Sequence, residues 1–133
     1  MAAINYLFGE AANGVGVYIN TNGSVGFGKV ANADMVVASA GTIVAGVPFV
    51  LTARLSAGTA AIRKNGVQSA TAASALTFSA VTGARIGTAF DGVSFPVNGA
   101  IGWVVPLPTA LSDADCLTVE RLVGAQFPGM ATI

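Results

Sequence analysis

The sequence predicts an all-β fold: an antiparallel two-sheet sandwich, jelly-roll-like, with one short C-terminal helix. Three observations predict it. Glycine and other turn residues, 17 of them Gly, punctuate the chain roughly every eight to twelve positions, the spacing of a sandwich or barrel. Between them apolar and polar residues alternate over short runs, the period of a half-buried strand. Only one segment, near the C-terminus, carries apolar residues at helical spacing.

The elements follow in order. Val15, Val17 and Ile19 alternate with Gly16, Tyr18 and Asn20. Thr21, Asn22 and Gly23 make a turn, because Asn and Gly tolerate positive φ. A strand with Val25 and Phe27 on one face follows. Residues 35–53 are an uncharged stretch, long enough for a helix to cross a bilayer. Gly41, Gly46 and Pro48 interrupt it, so a pair of buried strands is expected there and no membrane span. Phe49, Leu51, Ala53 and Leu55 alternate with Val50, Thr52, Arg54 and Ser56 in the clearest strand pattern of the chain. Ser56-Ala57-Gly58 turns it into residues 59–64, and Asn65-Gly66 is a strong two-residue hairpin signal. Residues 69–79, rich in Ala, Ser and Thr, read as a surface loop or a weak edge strand. Further strands are expected at 76–80, 85–89 and 100–105. A helix is expected within 112–127. Ser112 would cap it, with Asp115 three residues on and Asp113 in the first turn. Cys116, Val119, Val123 and Phe127 would form its buried stripe, and Pro128-Gly129 its stop.

Composition narrows the function. The 133 residues make one domain, 1–133. Hydrophobic residues are 53% and charged residues only 9%, against about 25% charged in an average soluble protein. Six basic and six acidic residues cancel. Nothing here offers the clustered cations that nucleic acid requires. There is no His, which excludes a Ser-His-Asp triad and any His-based metal site. One cysteine, Cys116, excludes an internal disulfide and a Cys-based zinc site. The first ten residues carry neither a basic region nor a long apolar core, so they do not read as a signal peptide.

The second half of the chain carries a more specific pattern. Val47-Pro48-Phe49-Val50-Leu51-Thr52-Ala53-Arg54-Leu55 is followed by a glycine turn, a short strand and Lys64-Asn65-Gly66-Val67. Then come Arg85-Ile86-Gly87, Asn98-Gly99-Ala100-Ile101-Gly102 and Ala110-Leu111-Ser112-Asp113-Ala114-Asp115. In order and spacing, residues 47–129 resemble the concanavalin-A-like lectin/glucanase superfamily in its laminin-G-like form. The resemblance implies a lectin-like sandwich of the kind found in bacterial surface proteins and in tailed-phage structural proteins. Three departures stand out. Trp103 occupies a position where the family often carries an acid. Pro106 and Pro108 interrupt what is usually a continuing strand. Little chain lies upstream of Tyr6, so the sandwich is expected to lack N-terminal strands or to receive one from a neighbouring chain.

The chemistry of the side chains then sorts the functions. Hydrolysis of a glycosidic bond needs two carboxylates facing each other, and no strand carries an acidic pair. Asp113 and Asp115 read as a helix cap, and Glu10 and Glu120 stand alone, so no enzyme is expected. Cys116, without a His partner, reads as a buried structural thiol. The glycines at 14, 16, 23, 26 and 28 match no phosphate loop and read as turn and packing residues. No cofactor is implied. Calcium, held by loop oxygens of Asp34, Asp91 and Asn98, is an alternative resting on few ligands. Glycan contact would use an aromatic ring beside amides: Tyr18 with Asn20 and Asn22, or Phe90 with Asp91 and Asn98.

Two function classes remain. The first is a non-enzymatic virion structural protein, a capsid decoration or tail component, assembled in the host cytoplasm as a homo-oligomer or with other virion proteins. The alternative is a carbohydrate-binding module of an extracellular bacterial protein. A mean hydropathy of +0.72 with so few charges favours surface hidden in an assembly. Trp103, the hairpin around Tyr18 and Phe27, and Tyr6-Leu7-Phe8 are the candidate contacts.

Overall fold

The computed structural model describes residues 4–9, 15–29, 35–75, 84–89, 92–127 and 129–130. Eight strands and one helix lie among the described residues. They are β1 (Asn5–Gly9), β2 (Val15–Ile19), β3 (Val25–Lys29), β4 (Met35–Ala38), β5 (Leu51–Ser56), β6 (Thr59–Lys64), β7 (Val67–Ala73), β8 (Arg85–Ile86) and α1 (Asp113–Gly124). They form two antiparallel sheets, one ordered β4-β3-β2-β1-β8 and the other β5-β6-β7.

Turn chemistry sets the registers. Ala57 and Gly58 join β5 to β6, and Asn65 and Gly66 join β6 to β7. All four have positive φ, as a two-residue turn matched to strand twist requires. Ser56 therefore faces Thr59, and Lys64 faces Val67. Asn65 does more than turn. Its Oδ1 accepts from the Val50 N–H at 2.8 Å, and its own N–H donates to the Val50 carbonyl at 3.0 Å, which seats the chain just before β5. The β2–β3 turn closes through Asn20, whose N–H donates to the Ser24 carbonyl at 2.9 Å.

Alternation then sorts the faces. Val15 and Ile19 of β2, Val25 and Phe27 of β3, Val36 and Ala38 of β4 and Ile43 form one buried cluster with Ala60 and Ile62 of β6. Ile62 has no exposed surface. Leu51, Ala53 and Leu55 of β5, with Ala70 and Ala72 of β7, pack at its border. Phe49 and Leu51 are only half-buried, so the face they share is the margin of the core.

Several expectations are corrected. Residues 35–53 do not form a pair of buried strands. β4 is followed by an irregular, largely exposed segment, because Gly41 and Ile43 spend their N–H groups on the Asn22 and Gly23 carbonyls. No helix among the described residues is long and apolar enough to cross a membrane. The 85–89 strand shrinks to Arg85–Ile86, paired with β1. Residues 100–105 are not a strand: 98–110 are exposed throughout, and Pro106 and Pro108 can donate to no ladder. The 69–79 region holds the edge strand β7. The 76–80 strand, Glu10 and Asp34 lie outside the described residues.

The helix begins as expected. Ser112 Oγ accepts from the Asp115 N–H at 3.2 Å and donates to Asp115 Oδ2 at 2.6 Å. It ends at Gly124, with Ala125 as its C-cap, short of Pro128-Gly129. Its buried residues are Cys116, Glu120 and Gly124, while Val119 and Val123 are half-buried. The stripe is rotated from the apolar one because an arginine waits for Glu120 on the sheet.

Candidate functional site

Two constellations stand out. The first lies between α1 and the side of the three-stranded sheet that faces away from the core. On β5 the residues between Leu51, Ala53 and Leu55 are Thr52 and Arg54, and on β6 the residue beside Ile62 is Arg63, so all three side chains point to α1. Thr52 Oγ1 donates to Glu120 Oε1 at 2.7 Å. Arg63 Nε donates to the same oxygen at 3.0 Å, and its Nη2 to Glu120 Oε2 at 3.4 Å and the Gly66 carbonyl at 2.8 Å. Arg54 Nη2 pairs with Asp113 Oδ1 at 2.6 Å, and its Nη1 donates to the Leu111 carbonyl at 2.7 Å. Glu120 is only 1% exposed and Arg63 5%. The Glu120 hydrogen bond raises the Arg63 guanidinium above its ordinary value, against the opposing effect of burial. Every carboxylate among the described residues is thereby engaged: Asp113 and Glu120 with arginines, Asp115 in the cap. The cluster's chemistry is that of a clamp. Glu120 does not stand alone, which corrects the sequence reading. The readable signal was that Arg54 and Arg63 both sit one residue off the apolar register of their strands.

The second constellation is a row of rings on the outer face of the five-stranded sheet. Tyr6 and Tyr18 are cross-strand partners, and their rings stack at 5.6 Å. Phe95 stacks on the other side of Tyr6 at 5.8 Å. Glycine makes the row possible. Gly26 faces Tyr18 across β2–β3, and a Cβ there would collide with the Tyr18 ring. Tyr18 thus lies flat across the neighbouring strand, as aromatics do over strand glycines. Its hydroxyl donates to Met35 Sδ at 3.7 Å. Burial raises the phenol of Tyr6, with a smaller contribution from Tyr18. Burial also raises that of Tyr18, offset in part by a hydrogen bond with Asn20. Tyr6 is covered by its two neighbours, and Phe95, 48% exposed with φ of 50°, is the open end of the row. A loop hydrogen bond holds Phe95 there: the Tyr6 N–H donates to its carbonyl at 3.1 Å.

The expected contact residues are placed unevenly. Tyr18 and Asn20 share the outer face. Asn20 Nδ2 donates to Ser24 Oγ at 2.8 Å while its amide also bonds Tyr18, and Asn22 Oδ1 accepts from the Ser24 N–H at 3.0 Å, so both amides take part in the turn. Asn98 is exposed, and its N–H donates to Asn5 Oδ1 at 2.8 Å. Trp103 is 61% exposed. Phe27 is core, not contact, and Tyr6 is buried within the ring row while Leu7 and Phe8 are half-buried. Phe90 and Asp91 lie outside the described residues, and with them the second aromatic platform and most of the calcium set. Sequence reasoning missed Phe95, which sits on an irregular loop where no periodicity marks it. Compared with protein families, curated proteins and solved structures, the chain finds no match.

Proposed function

We infer that the protein is a non-catalytic structural subunit that acts through protein–protein assembly. The observation that carries this reading is the uncharged, apolar character of the exposed segment 92–112. Residues 92–112 include no charged side chain, and within them Val93, Phe95, Trp103, Val104, Val105 and Leu107 are all exposed. Exposed apolar side chains concentrated in one segment in this way are a feature of interaction sites in soluble proteins. The resemblance of residues 47–129 to laminin-G-like modules supports placing the subunit in a virion, as a capsid decoration or tail component.

Contacts between such surfaces are apolar and polar-neutral, so screening by salt leaves them intact. Sedimentation or light scattering at low and high salt tests the reading. An oligomer, or co-purification with a particle, is expected in both conditions. A stable, soluble monomer at micromolar concentration in both refutes it. The exposed Phe95 ring at the end of the row, beside half-buried Tyr18, supports the second reading, a carbohydrate-binding module, since an exposed ring offers an apolar face for a sugar. A monomer that shifts on a glycan array, and loses the shift with Phe95→Ala, would establish that reading instead.

A further inference from the structure

We propose that Asn98-Gly99 is a site of spontaneous covalent modification, at which Asn98 converts through a cyclic imide to aspartate and isoaspartate. The inference is independent of the assembly reading, because it rests on one dipeptide and its surroundings. Asn-Gly pairs favour this chemistry. Asn carries an amide that can be displaced, and Gly has no side chain to keep its backbone nitrogen from reaching that amide. The chain has four such pairs, beginning at residues 13, 22, 65 and 98. Asn13 lies outside the described residues, and the structure separates the other three.

Two of the three are locked. The Gly23 N–H, which would be the attacking group, donates to the Asn20 carbonyl at 2.9 Å. The carbonyls of Asn22 and Gly23 accept from the Gly41 and Ile43 N–H groups, each at 2.9 Å, and Asn22 Oδ1 is held by the Ser24 N–H at 3.0 Å. Asn65 Oδ1 is held by the Val50 N–H at 2.8 Å, and Arg63 holds the Gly66 carbonyl at 2.8 Å. Attack at either site must first break such bonds. Asn98 differs. Asn98 and Gly99 are both exposed, and among the described residues neither the Asn98 side chain nor the Gly99 N–H makes a hydrogen bond. Space around Gly99 is open: a Cβ placed there would meet only Val97 Cγ1, at 3.8 Å. The chain is pinned just before the pair, where the Val97 N–H donates to the Gly87 carbonyl and the Asn98 N–H to Asn5 Oδ1, each at 2.8 Å. The peptide that must rotate, between 98 and 99, carries no such restraint.

Water is the only co-reactant. The Gly99 nitrogen gives its proton to solvent and attacks Asn98 Cγ. The new C–N bond closes a five-membered imide, the Cγ–Nδ2 bond breaks, and Nδ2 takes up a proton and leaves as ammonia. Water then opens the imide at Cγ, giving aspartate, or at the main-chain carbonyl, giving isoaspartate with the backbone rerouted through Cβ. Nothing is oxidised or reduced. Either product places a carboxylate within residues 92–112, which include no charged side chain, and raises six acidic residues to seven against six basic ones.

The full chain is aged in mildly alkaline buffer, digested with trypsin at mildly acidic pH and mapped by mass spectrometry. Asn22, Asn65 and Asn98 fall on separate peptides, and fragment ions distinguish Asn22 from Asn13. Replacement of the amide by a carboxyl is expected about tenfold faster at Asn98 than at Asn22 or Asn65, the weight of one hydrogen bond in a barrier. In urea the three rates should converge, because the fold sets the difference. Asn98→Gln should abolish the modification at that position and Gly99→Ala should slow it, with Asn22 and Asn65 unchanged. Equal rates at the three sites in buffer, or product first at Asn22 or Asn65, overturns the proposal. So does an advantage of Asn98 that persists undiminished in urea, since local sequence and not the structure would then set it.

Discussion

Removing the Glu120 carboxylate should be among the most costly single changes in this protein. Glu120→Ala strands Arg63, buried in β6, and frees Thr52 Oγ1. The bonds lost from Arg63 and from the Thr52 hydroxyl both end on the ionised carboxylate, and each is worth about 1.5–3 kcal/mol. Breaking a buried pair by deleting one member typically costs about 3–5 kcal/mol, since the surviving charge stays desolvated. Arg63 keeps the Gly66 carbonyl at 2.8 Å and the more distant Asp113 at 3.7 Å, which puts the expectation near the lower end, about 3 kcal/mol. In a domain of this size that lowers Tm by roughly 10 °C. Urea unfolding followed by far-ultraviolet circular dichroism measures it. Replacing both partners with Leu should recover most of the loss, because an apolar pair of similar volume carries no desolvation penalty. A Glu120→Ala variant within about 1 kcal/mol of the parent would refute the clamp.

Three further outcomes are expected. The protein has two tyrosines, both raised by burial, so tyrosinate absorbance should titrate above the ordinary phenol value near 10 in the native state and at it in urea. A raised folded pKa means that this stability is fully present below the unfolded value and is lost as pH rises through the folded one; native titration at the free value would contradict the buried stack. Gly26→Ala, which drives a methyl into the Tyr18 ring, should cost about 1–3 kcal/mol in urea unfolding, and an unchanged midpoint would show the ring is not seated there. Ile62→Ala should cost about 2–5 kcal/mol and half-buried Leu51→Ala clearly less; equal losses in calorimetry would mean that the β5 margin is core.

Much of the fold is legible because it rests on local chemistry. Asn65-Gly66 can adopt positive φ at two successive positions, and that alone fixes a two-residue hairpin. Ser112 and Asp115 satisfy each other across one helical turn, so the start of α1 is written in three residues. Val15, Val17 and Ile19 announce a strand by period. What is not legible depends on partners far along the chain. Glu120 in α1 meets Arg63 in β6, 57 residues away, and that meeting rotates the helix away from its apolar stripe. Residues 100–105 have strand-like composition, but a strand exists only if another strand pairs with it, and none does among the described residues. Phe95 joins the ring row from an irregular loop, held by a backbone bond to Tyr6 that no pattern foretells. The site was half visible for the same reason: Tyr18 carries the period of β2, whereas the ring that completes its row comes from another part of the chain.

The use of charge links the clamp to the surface. The chain has six basic and six acidic residues, and four of these twelve, Arg54, Arg63, Asp113 and Glu120, are spent holding α1 to the three-stranded sheet. Most globular domains do the opposite and place their charges in water, where they maintain solubility. Here the inner pair is buried and little screened, and the outer surface is left neutral over residues 92–112. The fold therefore rests in part on an interaction that salt weakens little, a desolvated ion pair within the chain, and the proposed assembly would rest on another, apolar contact outside it. The small facing residues Ala60, Ala70 and Ala72 bring the sheets together with modest apolar volume, so an isolated chain has less core to draw on than its length allows. In the proposed assembly, covered surface would add burial that the core lacks, and mass action would then couple the stability of each chain to the concentration of its partners.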